Sequence, residues 1–191
     1  MSALVRAHDE DDVLSPADLL NFVSLLLIAG NETTTNLIAN GTHALMRNPD
    51  QLELLINDRG LVHGAIEEML RYDGPVQATA RFPKQTADIG GTHVPAGAIV
   101  FILLAAADRD PAQFNNPGKF EIRRSPNDHL AFGEGIHFCL GANLARLEAQ
   151  IAFEAMLERF PRLHLKDPEL KPKYRGTYFL RGIESLPMAL E

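Results

Sequence analysis

The residue of this sequence best suited to metal chemistry is its single cysteine, Cys139. Gly135 and Gly141 flank it, and Phe132 lies seven residues before it. Glycines allow backbone amides to turn toward a sulfur atom and allow a flat ligand to approach the chain closely. Residues 140–159 have the apolar spacing of an amphipathic helix, whose N-terminal dipole favours a charged sulfur. The stretch therefore predicts a metal-binding thiolate, with a small buried apolar residue as the alternative.

A second group of chemically notable residues interrupts a long apolar helix. The sequence predicts a helix from Pro16 to Arg47, and residues 19–29 leave it almost no polar face, which predicts burial on all sides. Glu32 and Thr33 follow that run, and an ionisable group in such a helix is costly unless it has a partner or a task. Two interpretations remain: either this pair acts in chemistry, or the Thr33 hydroxyl bonds back to the Ala29 carbonyl while Glu32 reaches solvent.

An acid and a base occur at helical spacing in the next predicted helix. Glu68 and Arg71 are three residues apart, so they lie on one side of a helix that ends before Gly74. The alternative is a solvated surface pair, which contributes only about 0.2–0.5 kcal/mol.

Two further cations occur where carboxylates of a ligand could bind. Arg81 lies in an alternating stretch, residues 78–82, that predicts a strand, and His137 precedes the cysteine by two residues. The alternative is that Arg81 is an ordinary exposed arginine on a strand. His137 has a rival functional interpretation as the base of a thiol hydrolase.

Taken together, these motifs resemble those of the cytochrome P450 family. The haem-ligand signature of that family matches Phe132-x-x-Gly135-x-x-x-Cys139-x-Gly141, and the neighbouring His129-Leu130-Ala131 and Ala142-Asn143-Leu144-Ala145-Arg146 also fit. The helix motif Ala29-Gly30-Asn31-Glu32-Thr33-Thr34, the Glu68 to Arg71 pair and Arg81 occur in the order of the family. The resemblance implies a bacterial-type soluble haem-thiolate monooxygenase that binds haem b.

The resemblance also implies a role for each motif residue. Cys139 would be the fifth ligand of the haem iron, and Arg81 and His137 would hold the haem propionates. Glu32 and Thr33 would be catalytic and would deliver protons to dioxygen. The other residues implied to contact haem are Phe132, Gly133, Gly135, Gly141, Ala29 and Gly30.

A structural clamp and a substrate-contact region are implied in the same way. In the family, the acid and the base at the positions of Glu68 and Arg71 are buried and are joined by an arginine from the loop ahead of the cysteine segment. Arg124 fits that third position, with the adjacent Arg123 as the alternative. The residues implied to contact substrate are Val76, Gln77, Ala78, Thr79, Phe179 and Leu180.

The expected fold is mainly α with small β-sheets. Residues 87–103 predict a hairpin with a Gly90-Gly91 turn and a buried strand over residues 98–103, and residues 108–126 predict an irregular meander. Short apolar runs predict small strands at residues 163–165, 178–180 and 186–190. By resemblance, residues 1–191 form a single partial domain that corresponds to the C-terminal half of the cytochrome P450 fold. That half contains the long central helix, the Glu-x-x-Arg helix, a small sheet, the meander, the cysteine loop and the helix after it.

The composition of the chain argues against several other classes of protein. The chain of 191 residues has 46% hydrophobic residues, one cysteine and a net charge of −7. A single cysteine excludes an internal disulfide and is typical of a protein of the reducing cytoplasm. The negative net charge argues against a surface that binds nucleic acid. Polar residues interrupt the apolar run before Gly30, so the run is too short to span a membrane. Residues 1–12 lack the apolar core of a signal peptide.

The resemblance finally implies the partners of the reaction. These are a small organic substrate, dioxygen, and a ferredoxin-like electron donor whose reductase draws electrons from NAD(P)H. The alternative hypothesis is a truncated or degenerate fragment that binds haem weakly or not at all and has no activity of its own.

Overall fold

The computed structural model describes residues 15–175 and 177–190, so the signal-peptide interpretation of residues 1–12 lies outside the described residues. The chain divides into two compact units, Met1–Thr33 and Thr34–Glu191. The expectation of a single partial domain over the whole chain stays a prediction. The elements are mainly helices with three two-stranded sheets, which confirms the predicted fold class.

Helix α1, Pro16–Arg47, has the predicted bounds. Its start is a capping box: the Ser15 Oγ accepts the Asp18 N–H at 3.1 Å, and the Asp18 Oδ2 accepts the Ser15 N–H at 3.2 Å. The helix ends before Asn48, and the following proline begins helix α2, Pro49–Asn57. Local capping signals therefore define both ends of α1.

The part of α1 that belongs to the first unit exposes its apolar side chains. Leu27 is 69% exposed and Ile28 is 74% exposed, so the predicted burial on all sides is wrong for this stretch. An apolar pattern predicts burial only where other elements cover the helix. The described residues of the first unit, 15–33, contain this helix alone.

The second unit has the hydrophobic core. Three helices pack there with the C-terminal part of α1: α2, α3 at Val62–Asp73, and α5 at Ala142–Arg159. A Cβ placed at Gly41 would lie 2.6 Å from the Met69 Sδ, so a larger residue there would require the Met69 side chain to move. The fully buried core side chains include Leu37, Leu45, Leu55, Ile66, Met69, Phe120, Ile122, Phe153 and Leu157.

In the described part of the chain, six short strands form three antiparallel pairs. Strand β1, Thr79–Arg81, pairs with β4, Val100–Ile102, and β2, Ala87–Ile89, pairs with β3, Thr92–Val94. Strand β5, His164–Leu165, pairs with β6, Met188–Ala189. Between β4 and the meander lies a single helical turn, α4, Leu104–Ala107.

The hairpin prediction is half correct. The turn at Gly90 and Gly91 joins β2 to β3, and both glycines have positive φ angles of 55° and 78°. The predicted buried strand over residues 98–103 is wrong, because β4 has three residues, pairs with β1 and leaves Phe101 55% exposed. A two-stranded sheet leaves a face open, which an apolar run cannot indicate. Of the predicted strand at 178–180, only Leu180 pairs, in an isolated bridge to Val76.

The meander predicted over residues 108–126 consists of turns and loops that lead into the cysteine segment. Within residues 15–175 and 177–190, none of the helices combines the length and apolar character needed to cross a membrane.

Candidate functional site

The cysteine segment is a closed loop whose glycines are required by its backbone. Gly133 and Gly135 have φ angles of 73° and 70°, a region that side chains rarely adopt. A short 3₁₀ turn covers Gly135–His137, and the Cys139 N–H donates to the Phe132 carbonyl at 2.9 Å. This bond closes the loop from residue 132 to residue 139, and the Cys139 thiol is half-buried.

Helix α5 begins three residues after the cysteine. Gly141 precedes the first helical residue, Ala142, whose N–H donates to the Cys139 carbonyl at 3.3 Å. The structure therefore places the cysteine one turn ahead of the helix, close to the position that the sequence predicts.

The surroundings of the loop fit a flat apolar cofactor. A Cβ at Gly135 or at Gly141 would meet no heavy atom within 4 Å, and Ile136, Phe138 and Leu140 are exposed apolar side chains. Among the residues that the structure describes, there is no group of three or more His, Cys, Asp or Glu side chains that could hold a metal ion. A single thiol does not satisfy a bare metal ion, so the donor set fits a group that brings its other metal ligands with it, as haem does.

The two cations implied to bind propionates lie in different settings. The Arg81 Nη1 donates to the Thr79 Oγ1 and to the Ala80 carbonyl, each at 2.9 Å, on half-buried β1. His137 is exposed in the 3₁₀ turn. In the described part of the chain, no hydrogen bond or ion pair joins His137 to Cys139, so the geometry gives the thiol-hydrolase interpretation no support.

Glu68 and Arg71 form a buried, bidentate ion pair. The Arg71 Nε lies 2.7 Å from the Glu68 Oε2, the Arg71 Nη2 lies 2.8 Å from Oε1, and both side chains are 0% exposed. Arg124 reaches the same carboxylate, with its Nε 3.1 Å from Oε2, whereas Arg123 is exposed. The structure thus selects Arg124 from the two arginines that the sequence left open. Arg71 also donates to the carbonyls of Asp108 and Pro117, which fixes the meander on α3.

A second acidic network was missed by the sequence analysis. The Glu67 Oε1 lies 2.7 Å from the Arg146 Nε, the Glu67 Oε2 lies 2.8 Å from the Arg146 Nη2, and His129 Nε2 lies 3.0 Å from Oε2. Burial raises the pKa of Glu67, but hydrogen bonds from Arg146 and His129 outweigh it and lower the pKa to about 2. The partners lie 62 and 79 residues away, so spacing along the sequence carries no signal for them.

Asp108 holds the start of the same loop. Its Oδ1 accepts the Leu130 N–H at 2.6 Å, and its side chain is buried. Burial raises the pKa of Asp108, while the hydrogen bond from Leu130 opposes that rise. The segment that leads into the cysteine loop is therefore attached to the meander through Leu130 and to α3 through His129.

The acid and the alcohol of the first unit lie on consecutive positions of α1, after Ala29 and Gly30. The Thr33 Oγ1 donates to the Ala29 carbonyl at 2.8 Å, and Glu32 is exposed. This is the local arrangement that the sequence analysis left open as the alternative to a chemical role. The chemical role stays a prediction.

The two segments implied to contact substrate are neighbours. The Gln77 N–H donates to the Phe179 carbonyl at 2.8 Å, and Val76 forms a bridge with Leu180. Ala78 is buried, and Thr79 begins β1. Residues 76–79 and 179–180 are therefore adjacent and form one small surface.

Comparisons with known proteins agree with the geometry of the cysteine loop. The family model described as Cytochrome P450 matches residues 1–186. Cytochrome P450 monooxygenase PikC of Streptomyces venezuelae is 52% identical over 190 residues, which are 98% of this chain and 46% of that protein. The biotin biosynthesis cytochrome P450 of Bacillus subtilis (strain 168) is 47% identical over 191 residues, which are 100% of this chain and 48% of that protein.

A solved structure gives the same result for the fold. The tirandamycin C-bound P450 monooxygenase TamI superimposes with a TM-score of 0.94 at 46% identity, over 100% of this chain and 48% of that one. The chain thus spans about half the length of the relatives it matches. Because the family model matches almost all of the sequence, the chain belongs to the cytochrome P450 family, whose members are haem b-dependent oxidoreductases.

Proposed function

We propose that this chain is the C-terminal, haem-binding part of a haem-thiolate monooxygenase and that Cys139 is the iron ligand. The observation that carries the proposal is the closed loop around the only thiol, with two glycines at positive φ and open space beside Gly135 and Gly141. When bound, haem with a thiolate ligand supplies oxygen activation, because the sulfur donates electron density that favours O–O cleavage.

The residues of the loop and of β1 would hold the cofactor. Phe132 and Gly133 start the loop and keep its backbone turned, so that the sulfur of Cys139 is presented at a fixed place. Arg81 is half-buried and has guanidinium nitrogens that suit a carboxylate, and His137 is exposed close to the ligand. We infer that both bind the haem propionates.

Proton delivery is assigned to Glu32 and Thr33 on the basis of family membership. The exposed Glu32 carboxylate can exchange protons with water, and the Thr33 Oγ can donate or accept a hydrogen bond. The Thr33 hydroxyl donates to the Ala29 carbonyl, so this role requires its hydrogen to turn away from that bond. Ala29 and Gly30 are assigned to the haem pocket on the same basis.

The proposed reaction consumes dioxygen, two electrons and two protons. One oxygen atom enters a small organic substrate and the other leaves as water. NAD(P)H supplies the electrons through a reductase and a ferredoxin-like donor, and the setting is the cytoplasm. The surface formed by residues 76–79 and 179–180 is the proposed substrate contact.

A second candidate is a fragment of such an enzyme without activity of its own. Two observations favour it: the chain spans about half the length of its relatives, and α1 exposes Leu25, Leu27 and Ile28. Large exposed apolar patches usually mark surfaces that interact with another molecule.

Haem titration with a carbon monoxide difference spectrum separates the two candidates. We expect the reduced, carbon monoxide-treated chain to show the Soret band of thiolate ligation and Cys139→Ala to lose it. His93→Ala is the control. His93 is exposed on the β2–β3 hairpin, so this substitution changes a histidine that lies outside the cysteine loop. Absence of haem uptake by the unmodified chain would contradict the first candidate for these residues and favour the second.

A further inference from the structure

Two consecutive carboxylates on α3 hold different parts of the structure. Glu68 binds the meander, where its Oε1 accepts the Glu121 N–H at 2.8 Å and its Oε2 pairs with Arg124. Glu67 binds the segment that leads into the cysteine loop through His129, and it binds helix α5 through Arg146. Neighbouring residues on a helix point in different directions, so the two carboxylates bind different arginines.

The Glu67 carboxylate joins both partners with charge-assisted bonds. Arg146 binds it with two nitrogens, at 2.7 and 2.8 Å, in the bidentate geometry that suits a guanidinium and a carboxylate. The Glu67 side chain is only 17% exposed, so the pair is partly removed from water and resists screening.

The His129 ring is held in one orientation. Its Nδ1 accepts the Ala131 N–H at 3.2 Å, so the ring hydrogen lies on Nε2, which donates to the Glu67 Oε2 at 3.0 Å. The ring is 3% exposed, which leaves it little freedom to turn. His129 therefore transmits the position of α3 to the backbone that leads into the cysteine loop.

Arg146 completes the connection to the cysteine. Its guanidinium carbon lies 4.5 Å from the centre of the Phe132 ring, a cation–π contact, while the Phe132 carbonyl accepts the Cys139 N–H. Hydrogen bonding to Glu67 raises the pKa of Arg146. One arginine thus joins Glu67 to the residue that closes the loop.

We infer that Glu67 is the positioning residue of the cysteine loop: it fixes His129 and Arg146 against Phe132, and Phe132 fixes the backbone of Cys139. The inference rests on the proposed function, in which Cys139 is the iron ligand. Glu67 does not touch the ligand itself and acts through its two partners.

Amide hydrogen exchange of the haem-free chain tests the network without any need for haem. In Glu67→Ala we expect exchange of residues 130–141 to rise about tenfold or more, since the substitution removes the three hydrogen bonds that join α3 to His129 and Arg146. Exchange of α2, which packs in the core away from this network, should stay unchanged. Glu67→Gln removes the charge and keeps an acceptor oxygen, so it should give a smaller rise and serves if Glu67→Ala does not fold.

The matched control is Glu158→Ala, which removes an exposed carboxylate from α5 and should leave exchange of the loop unchanged. Loop exchange that is unaffected by Glu67→Ala, or that rises together with exchange of α2, would overturn the inference, because the residue would then support only general stability.

A spectroscopic measurement tests the effect on the ligand. In the haem-loaded chain, Glu67→Ala should lower the fraction that shows the thiolate Soret band with carbon monoxide, while Glu158→Ala should not. An unchanged fraction despite faster loop exchange would overturn the positioning role and leave the proposed function intact. If the unmodified chain takes up no haem, the proposed function fails for these residues, and hydrogen exchange alone decides whether Glu67 fixes the loop.

Discussion

Arg124 and Glu68 are joined at 3.1 Å although 56 residues separate them, and the arginine side chain is only 7% exposed. Arg71 occupies the other edge of the same carboxylate, so one buried acid binds two arginines. The two arginines carry one more charge than the carboxylate, and both also donate to backbone carbonyls. Arg124 donates to the Asn115 carbonyl, and Arg71 donates to the Lys119 carbonyl. The clamp therefore fixes an irregular segment that has little regular secondary structure of its own.

Removal of Arg124 should destabilise the chain much more than removal of its neighbour. Arg124→Ala removes one of the two arginines that bind the buried Glu68 carboxylate, so we expect a loss of about 3 kcal/mol in the free energy of unfolding. Arg123→Ala is the matched control, because Arg123 is exposed, and it should change the free energy by less than about 0.5 kcal/mol. Urea unfolding measures both, and equal losses would contradict the assignment of Arg124 to the clamp.

The glycine loop makes a second prediction. Gly135 has a φ angle of 70°, which costs a residue with a side chain about 1–2 kcal/mol even where space is open. Gly135→Ala should therefore lower the free energy of unfolding by about that amount and weaken haem binding. Gly118→Ala is the control, because Gly118 also has open space but no positive φ. If thermal unfolding shifts equally for both variants, the loop has no special need for glycine.

Features set by nearby residues could be predicted from the sequence. The capping box at Ser15, the end of α3 before Gly74 and the turn at Gly90 all depend on residues within one turn of chain. The loop around Cys139 belongs to the same class, because its glycines are required by the backbone itself.

Features set by distant residues could not be predicted in this way. His129 and Arg146 lie 62 and 79 residues from Glu67, so their spacing along the sequence does not indicate a contact. Helical periodicity also does not indicate which acid of one helix binds which base of another. The exposure of Phe101 had the same cause, because an apolar run does not state whether another element covers the strand. Likewise, α1 was predicted to be buried from its composition alone, and Leu27 is exposed.

The proposed role of Thr33 makes a third prediction. In the haem-loaded chain supplied with electrons and a substrate, Thr33→Ala removes the hydroxyl, so oxygen consumption should continue with less product. Thr33→Ser is the matched control, because it keeps a hydroxyl that can bond to the Ala29 carbonyl and can still donate a proton. The measurement is the ratio of product formed to oxygen consumed. The same ratio in Thr33→Ala as in the unmodified chain would remove this residue from proton delivery.

Acid should weaken the network of Glu67 before it disrupts the hydrophobic core. The folded chain holds the Glu67 pKa at about 2, well below its ordinary value of 4.5. Below about pH 5 the unfolded chain therefore takes up a proton that the folded chain refuses, and the contribution of Glu67 to stability is lost progressively as the pH falls toward 2. The shift corresponds to at most about 3 kcal/mol, less the part that solvent screens at a carboxylate that is 17% exposed.

Unfolding free energies of the unmodified chain and of Glu67→Gln, measured from about pH 6 down to about pH 2, test this directly. We expect the unmodified chain to be more stable at the upper end and the two to converge at the lower end, because protonation of Glu67 removes the same charge as the substitution. Glu158→Gln changes an exposed carboxyl on α5 and should stay within about 0.5 kcal/mol of the unmodified chain throughout. The difference in free energy of unfolding between the unmodified chain and Glu67→Gln could instead stay constant with pH. That result would show that the pair of Glu67 and Arg146 stabilises the fold by packing and not by its charge.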